Sequence, residues 1–148
     1  MMVVKDIFSN PYFSVAFLSW FIAQIAKVVL TLVFDKKLNL YRMVGSGGMP
    51  SSHAAIVMAV TTAVGLDFGF DSGLFAVSLV FSLVVMYDAS GVRRAVGKQA
   101  IILNTMIEDL YKHRHIGQQK MKELVGHTPY EVFVGALLGI LMANIMIK

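Results

Sequence analysis

Four apolar runs separated by short polar stretches dominate the chain. The first, residues 11–34, is apolar except for Gln24 and Lys27 and is long enough to cross about 30 Å of hydrocarbon as a helix. The others, residues 51–68, 72–87 and 129–147, fall short of the roughly 20 residues a full span takes, which predicts recessed polar helix ends or a locally thinned bilayer. The short connection from Asp67 to Asp71 makes the second and third runs an antiparallel hairpin, and four successive spans then alternate in direction. Residues 92–125 are mixed. Ile102, Met106 and Leu110 recur at helical spacing with Gln99 and Glu108 elsewhere, the pattern of an amphipathic helix lying at the interface, and a basic connector follows. The pattern predicts one domain over residues 1–148: an all-α integral membrane helical bundle of about four spans plus the interfacial helix. Neither an internal repeat nor a low-complexity tract interrupts it.

Composition agrees with lipid as the solvent. The 148 residues are 57% hydrophobic, and the mean hydropathy of +0.69 is too high for a soluble core of this size. No cysteine is present, which excludes disulfides, thiolate metal sites and a cysteine nucleophile. A net charge of +4 raises the question of nucleic acid, but the cations lie between apolar runs rather than on a soluble face, and an anionic ligand or membrane surface suits them better. Residues 1–10 lack a basic leader, and the apolar run after them is too long for a signal-peptide core, so it reads as a retained span.

Alternating spans sort the polar residues by face. Residues 35–42, 45–53, 88–98 and 126–131 share one side, whereas the other holds Lys5, Asp6, Asp67, Asp71 and Lys148. Lys112, Arg114, Lys120 and Lys122 of the connector add charge to the first side, so the positive-inside bias places that face in the cytoplasm of a multi-pass cell-membrane protein.

Three stretches on that face carry candidate chemistry. In Gly45-Ser-Gly-Gly-Met-Pro-Ser-Ser-His53, glycines such as Gly48 permit close approach, Pro50 suits a first helical turn, and free N–H groups near Ser51 and Ser52 attract anions. The plain alternative is a loop-to-helix junction with a capping serine. His53 resists that reading, because an imidazole in the opening turn of a membrane helix is costly unless it serves a polar site. In Gly126-His-Thr-Pro-Tyr-Glu131, Thr128 and Glu131 satisfy the capping-box pattern. Glu131 also lies four residues from His127, where a carboxylate holds one ring nitrogen and leaves the other free as a nucleophile. Arg93, Arg94 and Lys98 offer forks and charge matched to phosphate, as do Lys36, Lys37 and Arg42, and Asp88 is placed to orient an arginine. Cations snorkelling at a membrane edge are the ordinary alternative. Gln24 and Lys27, inside the first span, are candidates to reach toward the same site, with snorkelling as the plain alternative for Lys27. His113 and His115 have no carboxylate set beside them, so no metal is expected there. Gly135, Gly139 and Ala143 form a small-xxx-small row that fits packing within the bundle, with a homodimer seam as the alternative.

Together the three motifs resemble the type-2 phosphatidic acid phosphatase superfamily, in its divergent membrane branch, related to acid phosphatases and vanadium-dependent haloperoxidases. Pro50-Ser51-Ser52-His53 is similar to that superfamily's Pro-Ser-Gly-His, and His127-x-x-x-Glu131 to its His-x-x-x-Asp. Lys36 or Lys37 with Arg42 approximates its basic motif, although Met43 stands where proline is usual. The arginine found six residues before the second histidine is Met121 here, which leaves that charge to Arg93 or Arg94. The resemblance implies a cofactor-free and metal-independent hydrolase of a lipid phosphate or diphosphate monoester. His127 would attack phosphorus with Glu131 fixing its tautomer, and His53 would protonate the leaving oxygen and then activate water against the phosphohistidine. The competing expectation is a non-enzymatic binder or transporter of anionic lipid that uses the same basic cradle.

Overall fold

The computed structural model describes residues 2–36, 47–111 and 126–147, and all of its regular structure is helical. Six helices follow in order: α1 (Met2–Ser9), α2 (Pro11–Asp35), α3 (Ser52–Phe68), α4 (Gly73–Ser90), α5 (Val92–Tyr111) and α6 (Pro129–Met146). Three stretches are long and apolar enough to cross a membrane, Pro11–Phe34, Gly73–Glu108 and Pro129–Met146, and Ser52–Phe68 is a shorter apolar helix. This is an all-α membrane bundle.

Local chemistry sets the ends. Asn10 separates α1 from α2, its side chain accepting from the N–H groups of Tyr12 and Phe13 while Pro11 opens the helix. Ser51 and Ser72 cap α3 and α4 in the same way through Ala54 and Phe75. Thr128 and Glu131 complete the expected capping box at α6. The chain leaves α4 three residues later than the apolar run suggests and enters α5 across Gly91 alone, whose φ of −102° and ψ of −83° break the helix. The amphipathic segment is therefore helical from residue 92, ahead of its apolar repeat. Among the described residues α5 packs against α4 and no other element.

Short α3 lies at the centre and packs on α2, α4 and α6. Its lining residues are small: Ala54, Ala55, Ala59 and Ala63 are fully buried. The row Gly135, Gly139 and Ala143 of α6 is buried too, and it meets α3 at the backbone of Ser51, Ala55 and Ala59. Bulk points the other way. Phe133, Leu137, Leu141 and Ile145 line the exposed face of α6, as Val77, Phe81 and Val84 do on α4, an arrangement that lipid solvates and water would not. Thr61 Oγ1 and Ser82 Oγ are 2.7 Å apart, and Ser82 also donates to Val57 O at 3.1 Å, pinning α4 to α3 with hydrogen bonds rather than apolar area.

Two polar contacts fix the register of α2 on α3. The Tyr12 hydroxyl donates to Asp67 Oδ2 at 2.6 Å, and Lys27 Nζ donates to Ser52 Oγ at 3.2 Å. Residues 12 to 27 and 52 to 67 are the same fifteen-step interval, so the helices run antiparallel in step. The remaining eight residues of α2, to Asp35, extend about 12 Å beyond the start of α3. The opening turn of α3 is thus recessed relative to the end of α2, one of the two arrangements its short length predicts.

Candidate active site

His53 sits in the first turn of α3 and His127 just ahead of α6, and the bundle brings their rings to a centroid distance of 6.0 Å at an interplanar angle of 68°. Backbone bonds hold both in place. The His127 N–H donates to Ala89 O at the end of α4 at 3.0 Å, and the Ser51 N–H donates to Glu131 O at 2.9 Å, joining the starts of α3 and α6. Ala54, Ala89 and Val132 pack as one cluster among the same helix ends. Gly126 is needed for this approach, because a Cβ there would stand 2.3 Å from Arg94 N and 2.5 Å from its Cα. Gly47 and Gly48 turn into α3 at φ of 93° and 84°, the left-handed region that suits glycine.

Glu131 serves cap and ring with one oxygen. Its Oε2 accepts the Thr128 N–H at 2.9 Å and lies 3.3 Å from His127 Nδ1, so both expected roles coexist and the cap is the shorter contact. A proton held on Nδ1 by this carboxylate leaves Nε2 with its lone pair. Nε2 of His127 and Nδ1 of His53 are buried and have no hydrogen-bond partner among the described residues. His127 is 2% exposed, whereas His53 is only half-buried, so His53 is the more open of the pair. Burial, followed by the charge of Lys27, holds the His127 ring below the usual histidine pKa, while Glu131 and the backbone at Gly48 pull the other way.

Lys27 is the residue that the motifs did not include. It is 2% exposed, the largest fully buried side chain of the described protein, and its charge is felt at both histidines. The row Val15, Ser19, Ala23 and Lys27, four apart on α2, is the buried stripe that carries it inward. Arg93 and Asp88 also act electrostatically on His53. Asp88 Oδ2 accepts from Arg93 Nε at 2.6 Å, the orienting contact expected of it, although both side chains are largely exposed. Ser51 and Ser52 are buried at the start of α3, and Ser52 holds Lys27. Arg94 lies against Gly126 through its backbone. Lys36 follows α2 as an exposed, left-handed cap, and Lys98 is exposed on α5. Neither makes a hydrogen bond or ion pair among the described residues. Lys37, Arg42, His113, His115, Met121 and the connector cations lie outside those residues. Among the described residues no three histidine or carboxylate side chains gather as metal ligands would.

Fold and site together define an all-α membrane protein with a polar, histidine-bearing site recessed at the helix ends. The chain belongs to the Divergent PAP2 family, whose model matches residues 8–142. It is also 42% identical over 135 residues to a Bacillus subtilis (strain 168) protein described as "Uncharacterized membrane protein YuiD", a match that covers 84% of this chain and 85% of that one. No solved structure matches the chain.

Proposed function

We propose that this multi-pass membrane protein is a phosphatase that hydrolyses a lipid phosphate or diphosphate monoester through a phosphohistidine on His127. The observation that carries the reading is the pair of partnerless buried imidazole nitrogens, on rings 6.0 Å apart, with a carboxylate on one ring. An unpaired buried polar atom costs about 1–3 kcal/mol, and two of them in one place make sense where a polar group comes and goes. Family membership supports phosphate chemistry of the same kind.

In this mechanism Nε2 of His127 attacks phosphorus in line while the Glu131 carboxylate holds Nδ1–H and balances the charge that forms on the ring. The N–P bond forms as the P–O bond to the lipid breaks, and His53 gives its proton to the departing oxygen. His53 then takes a proton from water as that water attacks the phosphohistidine, and inorganic phosphate leaves with His127 restored. Arg93, oriented by Asp88, supplies positive charge to the equatorial oxygens, joined by Arg94, Lys98 and the basic residues 36, 37 and 42.

The test is phosphate release from a panel of lipid monophosphates and diphosphates by protein reconstituted in lipid nanodiscs. His127→Ala should abolish turnover and acid-labile labelling of the protein. Unchanged turnover in that variant, or an inactive parent across the panel, overturns the reading. An inactive parent that captures anionic phospholipid tightly, insensitive to His127→Ala and lost with Arg93→Ala, is instead the signature of a binder or transporter.

A further inference from the structure

We infer that Lys27, projecting from the middle of α2, is a phosphoryl-binding cation of this site and sets the depth at which the phosphate sits. The inference deepens the proposed function and rests on the same site. Three observations meet at this side chain. It is almost completely buried in a helix that crosses the membrane, where a charged lysine costs about 2.5–3.5 kcal/mol on insertion scales and marks a functional position. Its Nζ is tied at 3.2 Å to Ser52, the residue beside His53 in the opening turn of α3. Its charge reaches both imidazoles, and each ring keeps a buried nitrogen with no partner among the described residues.

A phosphoryl group attacked by His127 would bring negative oxygens to this ammonium. In a low-dielectric surrounding that attraction is far stronger than at the membrane edge, where Lys36 caps α2 nine residues beyond Lys27. Lysine also suits the place sterically. It is a compact point charge on an apolar stem, carried by the buried stripe that includes Ser19 and Ala23, and the Ser52 hydroxyl holds its head beside His53. A consequence follows for the ligand: its phosphate must descend about 12 Å past the end of α2 to meet Lys27.

Orthovanadate and inorganic phosphate are the probes, with binding measured on the full chain in nanodiscs and as inhibition of lipid-phosphate turnover. Lys27→Met, close in shape and better suited to lipid, should weaken vanadate binding on the order of ten- to a hundredfold, the loss of a charge-assisted contact. Lys27→Arg should retain binding within a few-fold. Should the Met variant fail to fold, Lys27→Gln against Lys27→Arg makes the same comparison of charge. Vanadate affinity, KM and kcat all unchanged in Lys27→Met would overturn this inference and leave the hydrolase reading intact. Equal losses in the Arg and Gln variants would overturn it also, since charge would then be irrelevant. Lys27-dependent vanadate binding by a parent that releases no phosphate from any lipid supports the cation and removes the hydrolase. A parent that binds neither probe overturns this inference, and the hydrolase reading is then decided by phosphate release alone.

Discussion

His127 and Glu131 are joined at 3.3 Å through Nδ1 and Oε2, and the same oxygen caps the helix that begins between them. Cap and catalysis are separable by substitution. Glutamine still accepts the Thr128 N–H but lacks the charge that steadies an imidazolium, so Glu131→Gln should change thermal stability little. Phosphate release should nevertheless fall by up to about 10⁴-fold, the loss seen when the carboxylate behind a catalytic histidine is replaced by an amide. Parallel melting curves and turnover assays decide it. A Gln variant as active as the parent would reduce Glu131 to a helix cap.

The pH profile should report the environment of His127. Because burial and Lys27 depress its pKa below 6.5, the ring stays neutral into mildly acidic solution, and the acidic limb of kcat/KM should fall below pH 6.5. Lys27→Met removes one depressing charge, so its limb should move to higher pH. Glu131→Gln removes a group that favours the charged ring and should move it lower. Opposite displacements of the two limbs are the expected result, and a common limb in all three proteins would show that another group titrates.

Much of this site was legible in the chain and some was not. Apolar runs and their alternation were enough to bring His53 and His127 to one end of the bundle, because direction follows from counting spans. The short second run predicts a recessed helix start or a thinned bilayer, and the α2–α3 register sets the start of α3 about 12 Å short of the end of α2. Lys27 stands out in the chain as an intramembrane charge, yet its tie to Ser52 depends on how far one helix slides along another, and periodicity within a single helix carries no such information. The stripe Val15, Ser19, Ala23 and Lys27 was the signal available, four residues apart and mostly small. Gly126 escaped for a related reason: its need is set by the Arg93–Arg94 backbone, more than thirty residues away in sequence.

Gly139 tests the packing of α6 on α3. An added Cβ would lie 2.3 Å from Ala55 O and 2.8 Å from Ala59 N, both backbone atoms that cannot swing aside. Gly139→Ala should cost about 1–3 kcal/mol as overpacking, lowering Tm by roughly 2–4 °C per kcal/mol. Gly73→Ala is the matched control, since nothing lies within 4 Å of its Cβ, and should be neutral or stabilising by up to about 1 kcal/mol. A Gly139→Ala protein that melts like the parent but loses a homodimer would assign the row to a seam between copies instead.

Gly126 tests the clasp that brings α4 and α5 to His127. With Ala at 126, the backbone of Arg94 must retreat, and the His127–Ala89 bond retreats with it. The loss should fall on the site more than on the fold, because the α3–α6 and α2–α3 contacts lie elsewhere. Turnover should drop at least tenfold, as a misplacement of about 1 Å at reacting groups costs up to 10². A Tm within a few degrees of the parent is expected alongside. Full turnover in Gly126→Ala would mean that this backbone clasp does not position the histidine.

Orientation is the remaining property with a direct readout. The connector cations and the arginines of α5 favour a cytoplasmic histidine face through the positive-inside bias, whereas cations gathered for phosphate would say nothing of the side. Since the chain has no cysteine, single cysteines introduced at Lys120 and Asp71 report the two faces without background. An impermeant maleimide added to intact cells should label Asp71→Cys, at the α3–α4 turn, and spare Lys120→Cys until the membrane is opened. Labelling of position 120 from outside would reverse the orientation. The lipid phosphate would then have to be presented in the outer leaflet, so this experiment also chooses the leaflet from which substrate is drawn.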